Sequence, residues 1–154
     1  MQTSAREAYL ATQVMTATPQ KLHLLLIEGA IRWLSAAQHH WRQNQEEQAC
    51  EALIRSQEIV SEMLGGVSTG KQEVSRRLAE IYLYVYRTLT EAQLQHEEQK
   101  LQDALRVLEI ERATWIAVCE KFGAQHDTAP VATNLAPPLT IQQNLPTGGL
   151  SIQA

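Results

Sequence analysis

Proline is nearly missing from the first 123 residues, where Pro19 stands alone; Pro130, Pro137, Pro138 and Pro146 follow in the remainder. Strand signals are scarce as well, because β-branched runs are short and no segment alternates apolar and polar residues for long. These two absences remove the β and α/β classes and leave helix as the default before residue 124. Cysteine is limited to Cys50 and Cys119, which form neither a disulfide framework nor a metal spacing, so both read as small apolar side chains in helices. There is no excess of basic charge. The formal net charge is −4, which withholds the attraction that nucleic-acid binding starts from. Apolar runs are short too: Leu24-Leu25-Leu26-Ile27 is stopped by Glu28, far from the ~20 apolar residues of a membrane span. Met1 to Thr12 lack the basic start and apolar run of a secretion signal. The expected location is therefore the cytoplasm, without insertion into a membrane.

Catalytic constellations are missing in the same way. Di-iron helical bundles use Glu-x-x-His, and none of the 15 glutamates has a histidine three residues later. His39 and His40 are adjacent, so on a helix they point about 100° apart and cannot act as i,i+4 partners on one metal. His23, His96 and His126 are isolated in sequence and read as surface residues. The stretch Gly65-Gly66-Val67-Ser68-Thr69-Gly70-Lys71 has glycines but fails the phosphate-loop pattern, since Gln72 follows Lys71 and no strand precedes it. Leu145-Pro146-Thr147-Gly148-Gly149 superficially looks like a sorting signal, but no apolar segment or basic tail follows. No enzyme, cofactor or metal site is expected.

What remains is helical periodicity. Thr18 can cap a helix whose first residue is Pro19, and Leu22, Leu25, Leu26, Gly29, Trp33, Ala36 and Ala37 follow at helical spacing to about Gln43. A second helix starts near Glu46, carries Ala49, Leu53, Gln57, Val60 and Leu64, and is expected to stop at Gly65-Gly66. A third begins after Gly70 with Val74, Leu78, Ile81, Tyr82, Val85, Leu89 and Ala92 on one face; a fourth runs from near Glu97 to Gly123 through Leu101, Leu105, Leu108, Trp115, Val118 and Phe122. Short polar or glycine-rich links favour antiparallel neighbours, so the fold class is all-α, an antiparallel up-down-up-down four-helix bundle. Residues 1–17 form a short N-terminal cap segment, 18–123 the bundle, and 124–154 a disordered tail rich in Pro, Thr, Gln and Gly.

The helices carry more apolar residues than one stripe needs. Leu24, Ile27 and Ile31 sit beside the main face of the first; Leu83, Tyr84, Tyr86 and Leu94 lie off the stripe of the third; Val107, Ile110, Thr114 and Ala117 make a second row on the fourth. Such a surplus fits a groove that receives another helix, a wide core face, or a dimer interface.

Particular segments add a resemblance. Tyr9-x-x-x-Gln13-Val14-x-Thr16-Ala17-Thr18-Pro19-x-Lys21-Leu22 resembles the N-terminal signature of the flagellar export chaperone family FliS, and Leu25-Leu26-Ile27-Glu28-Gly29-Ala30-Ile31 is similar to its MLYDGA stretch. Ile54-x-x-Gln57-x-Ile59-Val60-x-Glu62-Met63, Ile81-Tyr82-Leu83-Tyr84-Val85-x-Arg87-x-Leu89-x-x-Ala92, and Val107-Leu108 through Arg112-x-x-Trp115 resemble the family's later helices in order and spacing. The sequence departs from the pattern at Ile27, Glu28 and Leu83, where the family has tyrosine, aspartate and aspartate.

The resemblance implies a cytosolic chaperone of type III flagellar export. It implies as partners flagellin, held by its disordered C-terminal segment, and the flagellar export apparatus. Holding that segment would block premature filament assembly and keep the subunit competent for export. It also implies an N-terminal segment that lies over part of the groove and moves aside for the client. On that basis Tyr9 and Val14 are assigned to the cap, and Ile27, Ile31, Tyr84, Val107 and Ile110 to the groove. Leu22, Tyr82, Leu89 and Trp115 are assigned to the core. A helical adaptor that dimerises, or binds another helix, through the same faces is the alternative.

Overall fold

The computed structural model describes residues 2–128, which form five α-helices and no strand: α1 (Gln2–Thr16), α2 (Pro19–Arg42), α3 (Glu46–Ser68), α4 (Glu73–Gln95) and α5 (Glu98–Thr128). The chain divides into two units after Cys119, and all the helix packing below belongs to the first, Met1–Cys119. Of the expected disordered tail, residues 124–128 belong to α5 and the rest lies outside the described residues.

The start of α2 follows from its sequence. Thr18 is extended, its Oγ1 accepts the amide of Lys21 at 3.1 Å, and Pro19 occupies the first helical position, where no N–H is needed. The core face of α2 is rotated from the expected one. Ile27, Ala30, Leu34, Ala37 and Trp41 are buried, in alternating steps of three and four residues, the seam pattern of coiled coils. Leu22 and Trp33, expected inside, are exposed. The cause is geometric: the two alanines let α3 come close, whereas Trp33 on that seam would hold it away.

Helix α3 answers with small residues of its own. Ala49, Ala52 and Ser56 are buried beside Leu53, Val60 and Met63, and Ser56 Oγ donates to the Ala30 carbonyl at 3.3 Å. A methyl at Gly29 would meet the Ile59 side chain at 3.4 Å, an ordinary contact, so this crossing does not demand glycine. Gly65 and Gly66 do not stop α3, which continues to Ser68. Left-handed backbone falls instead on Asn44 (φ 58°) and His96 (φ 54°). At each of these turns the next amide reaches back five residues, from Gln45 to the His40 carbonyl at 2.9 Å and from Glu97 to the Ala92 carbonyl at 3.1 Å.

Cross-helix contacts give the direction of each neighbouring pair. Ser56 meets Ala30 while Ile59 meets Gly29; Gln57 bonds Thr90 at 2.9 Å while Cys50 meets Gln93 at 3.1 Å. Tyr82 bonds Glu111 at 3.2 Å while Glu91 bonds Lys100 at 2.6 Å; Glu28 bonds Arg112 at 3.3 Å while Gln38 bonds Glu98 at 3.0 Å. In every pair residue numbers rise on one helix as they fall on the other.

Candidate functional site

The surplus apolar residues do not share one surface. Ile27 is completely buried in the core cluster, so its assignment to the groove is corrected. A buried position one turn before Ile31 on the seam of α2 leaves nothing to offer a client. Ile31 itself is partly buried against the core. It lies one heptad from Gln38, which bonds Glu98 of α5, so it occupies the seam between α2 and α5, opposite Leu105, one heptad beyond Glu98.

Tyr84 and Val107 fall on one seam by heptad position, and Ile110 follows one turn beyond Val107. Glu91 and Lys100 bridge α4 and α5 at 2.6 Å. One heptad further along each helix stand Tyr84 and Val107, which therefore face each other across the same seam. Val107 is partly buried against the core, Tyr84 is 50% exposed, and Ile110, one turn beyond Val107, is 61% exposed. Leu83, Thr88 and Arg87 complete a shallow groove beside Tyr84 on α4. At its open end the hydrogen bond to Glu91 holds the Lys100 ammonium above its ordinary pKa.

Behind this seam runs a polar chain that pins the two helices in register. Tyr82 is fully buried; its Oη lies 2.5 Å from His23 Nε2 on α2 and donates to Glu111 Oε2 on α5 at 3.2 Å. The phenol has one proton, so if Glu111 takes it, His23 donates from Nε2 to the Tyr82 oxygen. Burial, with the Glu111 charge adding to it, pushes the Tyr82 phenol far above its ordinary value. Burial also holds His23 below its ordinary value. The His23 ring stacks 4.2 Å from Trp115, whose indole nitrogen is buried without a hydrogen-bond partner among the described residues. His23 is thus a partly buried group packed on Tyr82 and Trp115, not the surface histidine its isolation in sequence implied. The signal that could have found it is its placement one turn before Ile27 on the buried side of α2.

Tyr9 and Val14 lie on α1, which is exposed from Ser4 to Thr16 except at Gln13. Leu10 and Val14 are one turn apart and Tyr9 stands beside them, so α1 presents an apolar stripe to solvent. A lone helix of 15 residues is marginal in water. Its unburied stripe therefore leaves α1 easy to move or melt. Residues that sequence reasoning left out of the site are Ile54 and Tyr86, which line a second groove between α3 and α4. Among the described residues no group of three His, Cys, Asp or Glu could hold a metal ion, and no helix is long and apolar enough to cross a membrane.

Comparison with known proteins adds two findings. The family described as Flagellar protein FliS matches residues 1–122. A relative from Bacillus subtilis (strain 168), named flagellar secretion chaperone FliS, is 30% identical over 96 residues, 62% of this chain and 71% of the relative.

Proposed function

Because the chain belongs to the FliS family, a family of chaperones and not of enzymes, we propose that it is a cytoplasmic flagellar export chaperone whose client is the C-terminal segment of flagellin. In this reading α2–α5 close as an antiparallel four-helix bundle, residues 18–123, and α1 is the movable cap. The seam of Tyr84, Val107 and Ile110 receives an amphipathic client helix, and the stripe of Tyr9 and Val14 either covers that helix or yields to it. Ile31, on the α2–α5 seam, extends the surface to the other side of α5. Covering the client's apolar face keeps it from assembling before export, and the loaded chaperone then meets the export apparatus.

The observation that carries this reading is the apolar area left in water on α4 and α5, at Tyr84 and Ile110, after the core has closed. Folding a disordered client costs about 2–5 kcal/mol. At about 25 cal/mol per Å², on the order of 200 Å² of apolar burial offsets the upper figure, an area that two or three such side chains and their client partners supply. Tyrosine suits such a surface because it offers area with little entropy loss and one polar tip.

The test is calorimetry of the full chain with a peptide of the flagellin C-terminal segment. Binding with a large negative heat-capacity change is expected. Tyr84→Asp and Ile110→Asp should each weaken it by roughly tenfold or more, about 1.4 kcal/mol. Both sites are exposed, so the fold is kept. Light scattering separates the adaptor reading: a stable dimer indifferent to the peptide would replace the chaperone with a dimerisation module.

A further inference from the structure

The charge of this protein is concentrated on one helix. Helix α3 holds Glu46, Glu47, Glu51, Glu58 and Glu62 against Arg55 alone, a net −4 that equals the formal charge of the whole chain. Four of these, Glu47, Glu51, Glu58 and Glu62, recur at steps of four, seven and four, so they form one column along the helix. All four are exposed. Among the described residues only Glu58 has an ion-pair partner, Arg55 on its own helix at 3.6 Å. Two pairs in the column are like charges at i,i+4, which each cost a helix about 0.2–0.5 kcal/mol. Nothing in the packing of α3 calls for that cost.

Beside the column lies an apolar floor. Ile54 is 45% exposed and Tyr86, on α4, 37% exposed, and both line a groove whose edge is Glu58 and Glu62. The groove continues past Ile54 along α3 to Glu47 and Glu51. From Glu47 to Glu62 it runs about 22 Å at the helical rise, the length of a four-turn helix. Its bed is held open by the bonds of Gln57 to Thr90 and Gln93 to Cys50, which fix α3 against α4.

From this we infer a second docking surface: the α3–α4 groove takes a basic amphipathic helix of a partner protein, its apolar stripe on Ile54 and Tyr86 and its Lys or Arg side chains against the α3 carboxylates. Charge complementarity selects this occupant. The chain's own α1 does not fit, because its charged side chains, Arg6 and Glu7, cancel. The surface lies on the far flank of α4 from the Tyr84–Val107 seam, so a client and this partner can be held together.

The probe is a fluorescein-labelled designed helix of about 18 residues, with a leucine stripe and lysines spaced to meet the four carboxylates. Anisotropy is read against the full chain at low and at moderate salt. The lysine helix is expected to bind, with affinity falling as salt rises. Glu51→Lys with Glu58→Lys should weaken it at least tenfold, and the same helix carrying glutamate for lysine should bind that double variant better than wild type. Ile54→Asp should also weaken binding, while Ile110→Asp leaves it unchanged. The inference is overturned if the lysine helix does not bind, if a scrambled peptide of equal composition binds as well, or if Ile110→Asp abolishes binding. It is equally overturned if the charge reversal dissolves a dimer of the chain, or if it removes flagellin binding, since a second copy or the client would then be the occupant. Flagellin binding measured on the same samples keeps failure of this second surface distinct from failure of the chaperone reading.

Discussion

Replacing Tyr82 with phenylalanine removes one oxygen from the centre of the protein and leaves its shape unchanged. Among the described residues that oxygen is the only hydrogen-bond donor to Glu111, which is 7% exposed, and the only hydrogen-bond partner of His23 Nε2. Losing a bond to a charged group costs about 1.5–3 kcal/mol, and a neutral one about 1. Some solvent reaches His23, so its share is at the low end. Tyr82→Phe should therefore destabilise the fold by about 2–3 kcal/mol. For a chain of this length each kcal/mol lowers the thermal midpoint by about 2–4 °C, so a drop of about 5–10 °C is expected. The assay is urea unfolding near neutral pH followed by far-UV circular dichroism, with the slope against urea unchanged. Tyr84→Phe is the control: it removes a hydroxyl that is already in water and should change stability by less than about 0.5 kcal/mol. If Tyr82→Phe is as stable as its Tyr84 counterpart, the polar chain does not hold α4 and α5 in register.

The same chain sets a pH dependence. Burial lowers the His23 pKa in the folded state below the ordinary 6.5. In the window between the two values the unfolded chain binds the extra proton, so stability is full above 6.5 and falls as the pH drops through that window. His23→Gln should flatten this limb, measured as urea midpoints taken down to about pH 5; an unchanged slope would show that His23 does not titrate inside the fold. On α3, a methyl at Gly65 or Gly66 meets nothing within 4 Å. Each alanine replacement should raise stability by about 0.5–1 kcal/mol through helix propensity alone. A neutral or negative result by thermal melting would show that the end of α3 is not helical in solution.

Sequence alone is a good guide where local chemistry decides structure. Thr18-Pro19 announces the start of α2, and the polar links around Asn44 and His96 announce the turns that follow α2 and α4. It is a poor guide where packing decides. Periodicity places the α2 stripe on Leu22 and Trp33 along with Ala37, yet the seam reaches Ala37 through Ala30 and Leu34, and the weak hydrophobic signal of Ala30 conceals its role in letting α3 approach. Gly65-Gly66 reads as a stop because glycine accepts left-handed backbone, but in these helices a histidine and an asparagine adopt it instead. Of the seven site residues, Tyr84 and Val107 can be paired by heptad arithmetic once one cross-helix contact is known. Ile27 cannot be told from a surface residue without it, since an isoleucine beside the seam and one on it look alike in sequence. The α3 carboxylates carry no signal of their own, because a column of exposed charge is the ordinary dress of a solvated helix until the groove beside it is seen.

The small side chains between α2 and α3 have a mechanical consequence. With Ala30, Ala37, Ala49, Ala52 and Ser56 all buried, these two backbones lie too near each other to slide or splay without opening voids that no neighbouring group can fill. They behave as a keel. Whatever breathing a guest demands is thereby directed to the opposite side of the molecule, where Leu89 of α4 and Leu101 and Leu108 of α5 are long enough to pivot.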